Sequence, residues 1–170
     1  PDGRTIYFNS ARTGRMKIWK MNADGSHQEQ FTPDDDYADW FPHPSPDGKH
    51  ILFTVLQADW EKNRYDTEIW LSRDGAAPFQ LTQTTDESSS SPSWSPEGRW
   101  IAFLANRDSK TRQIYLMNSA GGEAFKLTDH KESVNSYEWC PSGKQIAFTS
   151  TEPESKESKG REKQYGKLQV

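Results

Sequence analysis

One six-residue block recurs four times along the chain, and it constrains the fold more than any other feature of the sequence. In every copy Gly stands first, Ile fourth and Phe sixth. The copies occupy Gly3 to Phe8, Gly48 to Phe53, Gly98 to Phe103 and Gly143 to Phe148. Intervals of 45, 50 and 45 residues separate the isoleucines, so one structural unit repeats along the chain.

Each block is entered through a tight turn. The turns are Pro46-Asp47-Gly48, Pro96-Glu97-Gly98 and Pro141-Ser142-Gly143. Proline presets φ for such a turn and glycine accepts the positive φ that ends it. The alternation of Ile and Phe after the turn predicts a strand with both side chains on one face.

A second pair of strands completes each unit. The third strand is predicted at Ile18-Trp19, Ile69-Trp70 and Ile114-Tyr115, and the fourth ends at Phe31-Thr32, Leu81-Thr82 and Leu127-Thr128. A four-stranded unit of 40 to 50 residues that buries its faces against its neighbours is typical of β-propeller blades. A β-sandwich would share the turns, but it would not place the same residues at the same phase of every unit.

We therefore predict an all-β fold, a partial β-propeller of four-stranded antiparallel blades. The units lie near residues 1–36, 37–86, 87–131 and 132–150. The first lacks its leading strand and the last stops after its second, which leaves about three and a half blades, whereas closed propellers have four to eight. We expect a segment of a larger propeller, or a homodimer through open blade edges. Residues 151–166 are predicted to be a charged flexible excursion, and residues 167–170 a possible start of the next strand.

Composition excludes several classes of function. Leu, Ile, Val and Phe make up only about 15% of the chain, a disorder-like share. Seven Trp, six Tyr and eight Phe with a net charge of -4 favour a folded domain instead. The acidic balance predicts no nucleic-acid partner, and no apolar run approaches the roughly 18 residues that membrane insertion requires. One cysteine forms no internal disulfide or thiolate metal site, and we expect no cofactor and no metal.

The pattern Ser-Pro-Asp-Gly-x-x-Ile-x-Phe, followed by Ile-Trp or Ile-Tyr, Asp-Gly and Leu-Thr, resembles the TolB-like, PD40 (WD40-like) propeller repeat. Residues 1–54, with the segment 39–44, look most like TolB-like propellers. Residues from about 55 resemble the N-terminal propeller of prolyl oligopeptidase family serine peptidases, the acylaminoacyl and dipeptidyl peptidase branch; the segments 58–65, 88–94 and 152–166 carry that likeness. This resemblance implies a non-catalytic propeller that gates or docks peptides for a separate α/β-hydrolase domain.

The sequence contains no Gly-x-Ser-x-Gly nucleophile motif, so we predict no catalytic residue and no enzyme activity for this chain. The insertion Trp60 to Tyr65 lengthens the second unit by about five residues, and propeller insertions sit on a rim where partners bind. Trp60, Arg64 and Tyr65 are therefore candidate partner or substrate contacts, although an exposed loop with its aromatics packed back on the blade is an alternative. His43, between two prolines, is a further candidate that points into the central channel or packs in its strand. Asp34, Asp35, Asp36 and Asp39 are interpreted as a solvated acidic loop, not a cation site.

Three hypotheses for function remain. The first is the non-catalytic propeller of a peptidase, with peptides as ligands, a C-terminal α/β-hydrolase domain in the parent and a cytoplasmic location. The second is a TolB-like protein-binding propeller of the bacterial cell envelope, with a periplasmic location. The third is an engineered or recombined propeller fragment with a structural role only.

Overall fold

The computed structural model describes residues 3–84, 87–107 and 111–152, in which every regular element is a strand. The strands are β1 (Thr5–Ser10), β2 (Lys17–Asn22), β3 (Glu29–Gln30), β4 (Ala38–Pro44), β5 (His50–Asp59), β6 (Arg64–Arg73), β7 (Phe79–Gln80), β8 (Ser89–Trp94), β9 (Trp100–Ala105), β10 (Gln113–Asn118), β11 (Phe125–Lys126), β12 (Val134–Trp139) and β13 (Ile146–Ser150). The predicted excursion from residue 153 onward and the possible strand at residues 167–170 lie outside the described residues.

The strands pair in four antiparallel sheets that follow the order of the chain. Blade 1 is β1-β2-β3, blade 2 is β4-β5-β6-β7, blade 3 is β8-β9-β10-β11, and blade 4 is β12-β13. The predicted fold class, a partial all-β propeller with four-stranded antiparallel blades, is confirmed. The described residues contain no helix long and apolar enough to cross a membrane.

The repeated Ile and Phe face the preceding blade. In blade 3, Ile101 and Phe103 are fully buried and pack against Leu52, Ile69 and Leu71 of blade 2. In blade 2 the corresponding Ile51 and Phe53 pack against Ile18 of blade 1 in the same way. Burying one such side chain contributes roughly 1.5–3 kcal/mol. The repeat therefore keeps its phase because blades 2 and 3 bury the same two residues against the preceding blade, whereas Ile6 and Phe148 of the two end blades are exposed.

The Ser-Pro-Asp-Gly turn is held by its own side chains. Ser45 Oγ accepts a hydrogen bond from the His50 amide at 3.0 Å and donates to Asp47 Oδ1 at 2.5 Å. The Lys49 amide donates to Asp47 Oδ1 at 3.1 Å, and Gly48 has a φ of 73°. These contacts explain why serine and an acidic residue accompany proline and glycine in the motif.

A threonine follows the last strand of blades 1, 2 and 3; Thr32 and Thr82 are buried and Thr128 is half-buried. The hydroxyls of Thr32, Thr82 and Thr128 accept hydrogen bonds from the amides of Ile18, Ile69 and Ile114 at 3.1, 2.9 and 3.0 Å. The fourth strands consequently end before these threonines, at Gln30, Gln80 and Lys126, one or two residues earlier than the sequence predicted. The threonine hydroxyl adds to the backbone pairing here, since the amides of Phe31, Leu81 and Leu127 still donate to the carbonyls of Ile18, Ile69 and Ile114 at 2.8 Å.

The residue before each of these isoleucines is polar and buried. Glu68 accepts hydrogen bonds from the Thr82 hydroxyl and the Thr84 amide, both at 2.5 Å. In blade 3, Gln113 Oε1 accepts from the Thr128 hydroxyl at 2.8 Å. Both side chains thus tie the third strand to the loop that leads into the next blade.

In blade 1 the same position is Lys17, and it changes the interpretation of the acidic loop. Lys17 Nζ lies 2.5 Å from Asp35 Oδ1 and 3.4 Å from Asp39 Oδ2. Asp39 is itself buried, and burial raises its pKa above the ordinary value, against the opposing effects of Thr32 and Lys17. Asp36 is solvent-exposed, but Asp35 and Asp39 serve as partners of a buried cation, so the loop is not simply solvated.

We predict that Thr82→Val destabilises the protein by about 1–3 kcal/mol, because it leaves the buried Ile69 amide and the Glu68 carboxylate without the Thr82 hydroxyl. Thr82→Ser keeps the hydroxyl and should lose less. Urea unfolding followed by tryptophan fluorescence measures both. Equal losses for the two variants would contradict a role for the hydroxyl.

Candidate functional site

The connection between β5 and β6 projects from the rim of blade 2. Both strands have ten residues, whereas β9 and β10 of blade 3 have six. Their pairing continues to Asp59 opposite Arg64, and residues 60–63 form the tip. At 3.2–3.4 Å per residue, four extra residues extend this hairpin by roughly 13 Å. We call residues 57–66 the rim hairpin.

The rim hairpin exposes its two aromatic side chains. Trp60 is 88% exposed and Tyr65 is 69% exposed. Asp59 organises the tip, since its Oδ1 accepts a hydrogen bond from the Lys62 amide at 3.1 Å and its Oδ2 lies 3.7 Å from Arg64 Nε. The alternative in which both aromatics pack back on the blade does not agree with these exposures.

The base of the rim hairpin is acidic. Burial raises the pKa of Asp66, and the negative charges of Glu68 and Asp59 raise it further, while Arg64 acts in the opposite direction. Asp66 Oδ1 is buried and has no hydrogen-bond partner among the described residues. Arg64 thus acts as the local counter-charge for Asp59 and Asp66, and its side chain is half-buried.

A second surface is formed where the blades converge. The first strand of blade 2, β4, contacts both β1 and β8. Each of β4, β8 and β12 carries a bulge. At two of the bulges a residue other than glycine has positive φ, Phe41 at 55° and Ser91 at 51°. This backbone conformation is uncommon for a bulky side chain, and Phe41 is nevertheless 63% exposed.

The bulge of blade 2 is held by an asparagine of blade 1. Asn9 Nδ2 donates to the Asp39 carbonyl at 2.8 Å, and Asn9 Oδ1 accepts from the Phe41 amide at 3.2 Å. One side chain thereby satisfies backbone groups on both sides of the bulge. The strained conformation of Phe41 is stabilised from the neighbouring blade.

Aromatic side chains hold the inner strands of blades 2, 3 and 4 together. Trp94 Nε1 donates to the His43 carbonyl at 2.9 Å, and Trp139 Nε1 donates to Ser93 Oγ at 3.1 Å. The Tyr137 hydroxyl lies 2.6 Å from the Ser91 carbonyl, and its burial raises its pKa. The repeated tryptophans of the sequence motif are therefore contacts between blades.

The structure separates His43 from the other three predicted contact residues. His43 pairs with Leu52, and Leu52 lies seven residues along β5 from Asp59 at the hairpin, a distance of roughly 23 Å. The side chain is half-buried. Burial lowers the His43 pKa below its ordinary value, and the negative charge of Glu138 on β12 opposes that shift. Neutral imidazole offers a hydrogen bond, not a charge, at neutral pH.

Sequence reasoning did not single out Phe41 or Asn9. Phe41 stands beside the Pro-His-Pro segment that drew attention to His43, and only the bulge shows that it is the side chain presented to solvent. Asn9 follows the first Ile-x-Phe block directly, but nothing in its sequence context indicates a contact with the next blade.

The fold and its surfaces define a partial β-propeller with a projecting aromatic hairpin. No family model matches the chain. The chain is 41% identical over 109 residues to the uncharacterized protein Atu1656 of Agrobacterium fabrum. The aligned residues cover 61% of this chain and 37% of that protein. It is 36% identical over 91 residues to the uncharacterized peptidase YuxL of Bacillus subtilis, covering 52% of this chain and 13% of YuxL. The chain matches little more than a third of the first relative and about an eighth of the second.

Solved structures show the same two resemblances. A protein provisionally assigned as TolB from Agrobacterium tumefaciens superposes with a TM-score of 0.70 at 23% identity, over 89% of this chain and 52% of that one. Acylaminoacyl peptidase of Pyrococcus horikoshii gives a TM-score of 0.58 at 20% identity, over 71% of this chain and 18% of that one. The resemblance to TolB propellers and to propellers of this peptidase group is confirmed, and at these identities it establishes the fold.

We predict that His43 titrates with a pKa below the ordinary value of about 6.5, because burial disfavours its charged form. Since the folded pKa lies below the unfolded one, His43 also makes the fold less stable as pH falls below about 6.5. A ¹⁵N-histidine NMR titration, assigned with His43→Gln, measures this pKa. Glu138→Gln should lower it further, and an unchanged or higher value in that variant would contradict the assignment.

Proposed function

We propose that this chain is a non-catalytic β-propeller segment that docks peptide substrates, through its rim hairpin, for a hydrolase domain outside these residues. The observation that carries the proposal is the exposure of Trp60 and Tyr65 on a hairpin that projects beyond its neighbours. A fold gains no stability from two large aromatic side chains held in water. Their placement is therefore best explained by a contact with another molecule.

The chemistry of the rim hairpin suits protein or peptide recognition. Tryptophan and tyrosine are enriched among the residues that contribute most to interfaces, and each buries roughly 150–250 Å² when covered. Both aromatic side chains sit on paired strands or at their tip, so little conformational entropy is lost on binding. Arg64 lies beside them with its charge balanced by Asp59.

The likeness to YuxL supports the peptidase context. Because 91 aligned residues are 13% of YuxL, that protein has about 700 residues, enough for a propeller and a further domain. This chain contains no nucleophile motif of the Gly-x-Ser-x-Gly type. Under this proposal the propeller holds the peptide, and the chemistry takes place in another domain.

A second candidate function is a TolB-like propeller that binds a protein partner and has no hydrolase. It is favoured by the likeness to Atu1656, because 109 residues are 37% of that protein. A chain of about 295 residues holds about six blades of 45 to 50 residues and leaves no room for an additional hydrolase domain. Both candidates use the same contact surface.

The test is a kinetic comparison of Trp60→Ala and Tyr65→Ala in the full-length protein, with an oligopeptide and a single-residue chromogenic substrate. We expect KM for the oligopeptide to rise by about tenfold or more with kcat unchanged, because a docking contact is lost equally in the ground and transition states. Phe125→Ala, which removes another exposed aromatic side chain, is the control. An unchanged KM for the oligopeptide in both hairpin variants would contradict the docking role.

A crosslinking experiment separates the two candidates. A photoreactive phenylalanine at position 60 should form its adduct with an added peptide substrate if the peptidase proposal holds. A specific adduct with one cellular protein, together with no peptidase activity of the full-length protein, would support the TolB-like candidate instead.

A further inference from the structure

A polar cleft of about 670 Å³ lies between blades 2 and 3, at the end opposite the rim hairpin. Four turns line it: those between β4 and β5, β6 and β7, β8 and β9, and β10 and β11. The turns of the two blades touch, since a Cβ at Gly98 would lie only 3.6 Å from Pro46 Cδ. The volume falls within the range of roughly 300–1,000 Å³ typical of small-molecule sites.

A carboxylate is fixed at one side of the cleft. Asp47 accepts hydrogen bonds from the Ser45 hydroxyl and the Lys49 amide. These two contacts hold the pKa of Asp47 below its ordinary value, so the group is ionised at neutral pH. The turn therefore presents a negative charge whose position does not depend on a ligand.

A guanidinium also lines the cleft and is held in place. Arg73 Nη2 donates to the Ser119 carbonyl at 2.8 Å, and Arg73 Cζ lies 5.5 Å from the centre of the Phe79 ring. These contacts connect blades 2 and 3. They use one of the five N–H donors of the guanidinium, and the others have no hydrogen-bond partner among the described residues.

His50 also lines the cleft. It pairs directly with Arg73 across β5 and β6. His50 Nδ1 is buried and has no hydrogen-bond partner in the described part of the chain. The equivalent residues are Thr5, Trp100 and Gln145 in blades 1, 3 and 4, so the repeat leaves this position free to vary.

We propose that this cleft binds a short zwitterionic peptide, with the peptide's terminal carboxylate on Arg73 and its terminal ammonium on Asp47. Asp74 and Glu97 also line the cleft, so the peptide's ammonium has further protein carboxylates within the lining. The peptide's carboxylate has one guanidinium, that of Arg73. The cleft, at about 670 Å³, has more room than a free amino acid fills. A di- or tripeptide, at 3.3–3.6 Å per extended residue, matches it better.

Triglycine is the probe, and triglycine acetylated and amidated at its ends is the matched control ligand. Calorimetry on the full-length protein should show saturable binding of triglycine, at least tenfold tighter than the capped form. With ¹⁵N-tryptophan labelling, the indole signal of Trp94, whose ring lies 6.2 Å from that of His50, should shift on binding. Equal affinity for both ligands, or no triglycine binding, would overturn the proposal.

Three variants test the assigned contacts. Arg73→Gln should weaken triglycine binding at least tenfold. Arg73→Lys should weaken it less, because lysine keeps the positive charge but lacks the paired N–H donors of the guanidinium. His50→Trp introduces the residue that blade 3 carries at this position, so it should fill the cleft and abolish binding with the fold intact. Arg15→Gln removes an exposed arginine of blade 1 and should leave triglycine binding unchanged, which controls for the loss of one positive charge. Undiminished binding in both Arg73→Gln and His50→Trp would exclude this site.

Discussion

The structure depends on the packing of the Ile and Phe of blades 2 and 3 against the blade before each of them. Ile101 and Phe103 have no access to solvent because Leu52, Ile69 and Leu71 cover them. A single four-stranded sheet has two apolar faces and is stable only between neighbours. The stacking of these sheets in a regular order positions the loops and the surfaces exposed at either end of the blades.

Buried polar groups make the stacking specific. Glu68 and Lys17 occupy the same position in successive blades and differ in charge, yet each ties its third strand to the loop that follows. Asn9, Trp94 and Tyr137 connect inner strands of adjacent blades. Hydrophobic packing alone tolerates small shifts between sheets. These directional contacts satisfy backbone groups only in one arrangement, so they select it.

The two ends of blade 2 have different chemistry. One end carries an exposed aromatic hairpin, which suits a large contact with a peptide or protein. The other end has a cleft with a fixed carboxylate and a fixed guanidinium, which suits a small ligand with both charges. The hairpin is an insertion into the repeat at residues 60–65, and His50 stands at a position that differs in every unit. A rigid repeating scaffold allows such local changes because the core of the blade does not move.

The sequence alone determined the four-stranded blade. Its turn residues reflect the local backbone conformation, and the regular spacing of Ile and Phe reflects burial at the same position of successive units. It also indicated that Trp60 and Tyr65 lie in an insertion. Only the tertiary structure decided that both are exposed, that His43 is remote from them, and that Asp35 and Asp39 surround a buried Lys17. The same holds for Phe41, which is presented at a bulge held by Asn9, and for the cleft between Asp47 and Arg73. These contacts join residues of different blades or turns, and no periodicity within one unit specifies how neighbouring units meet.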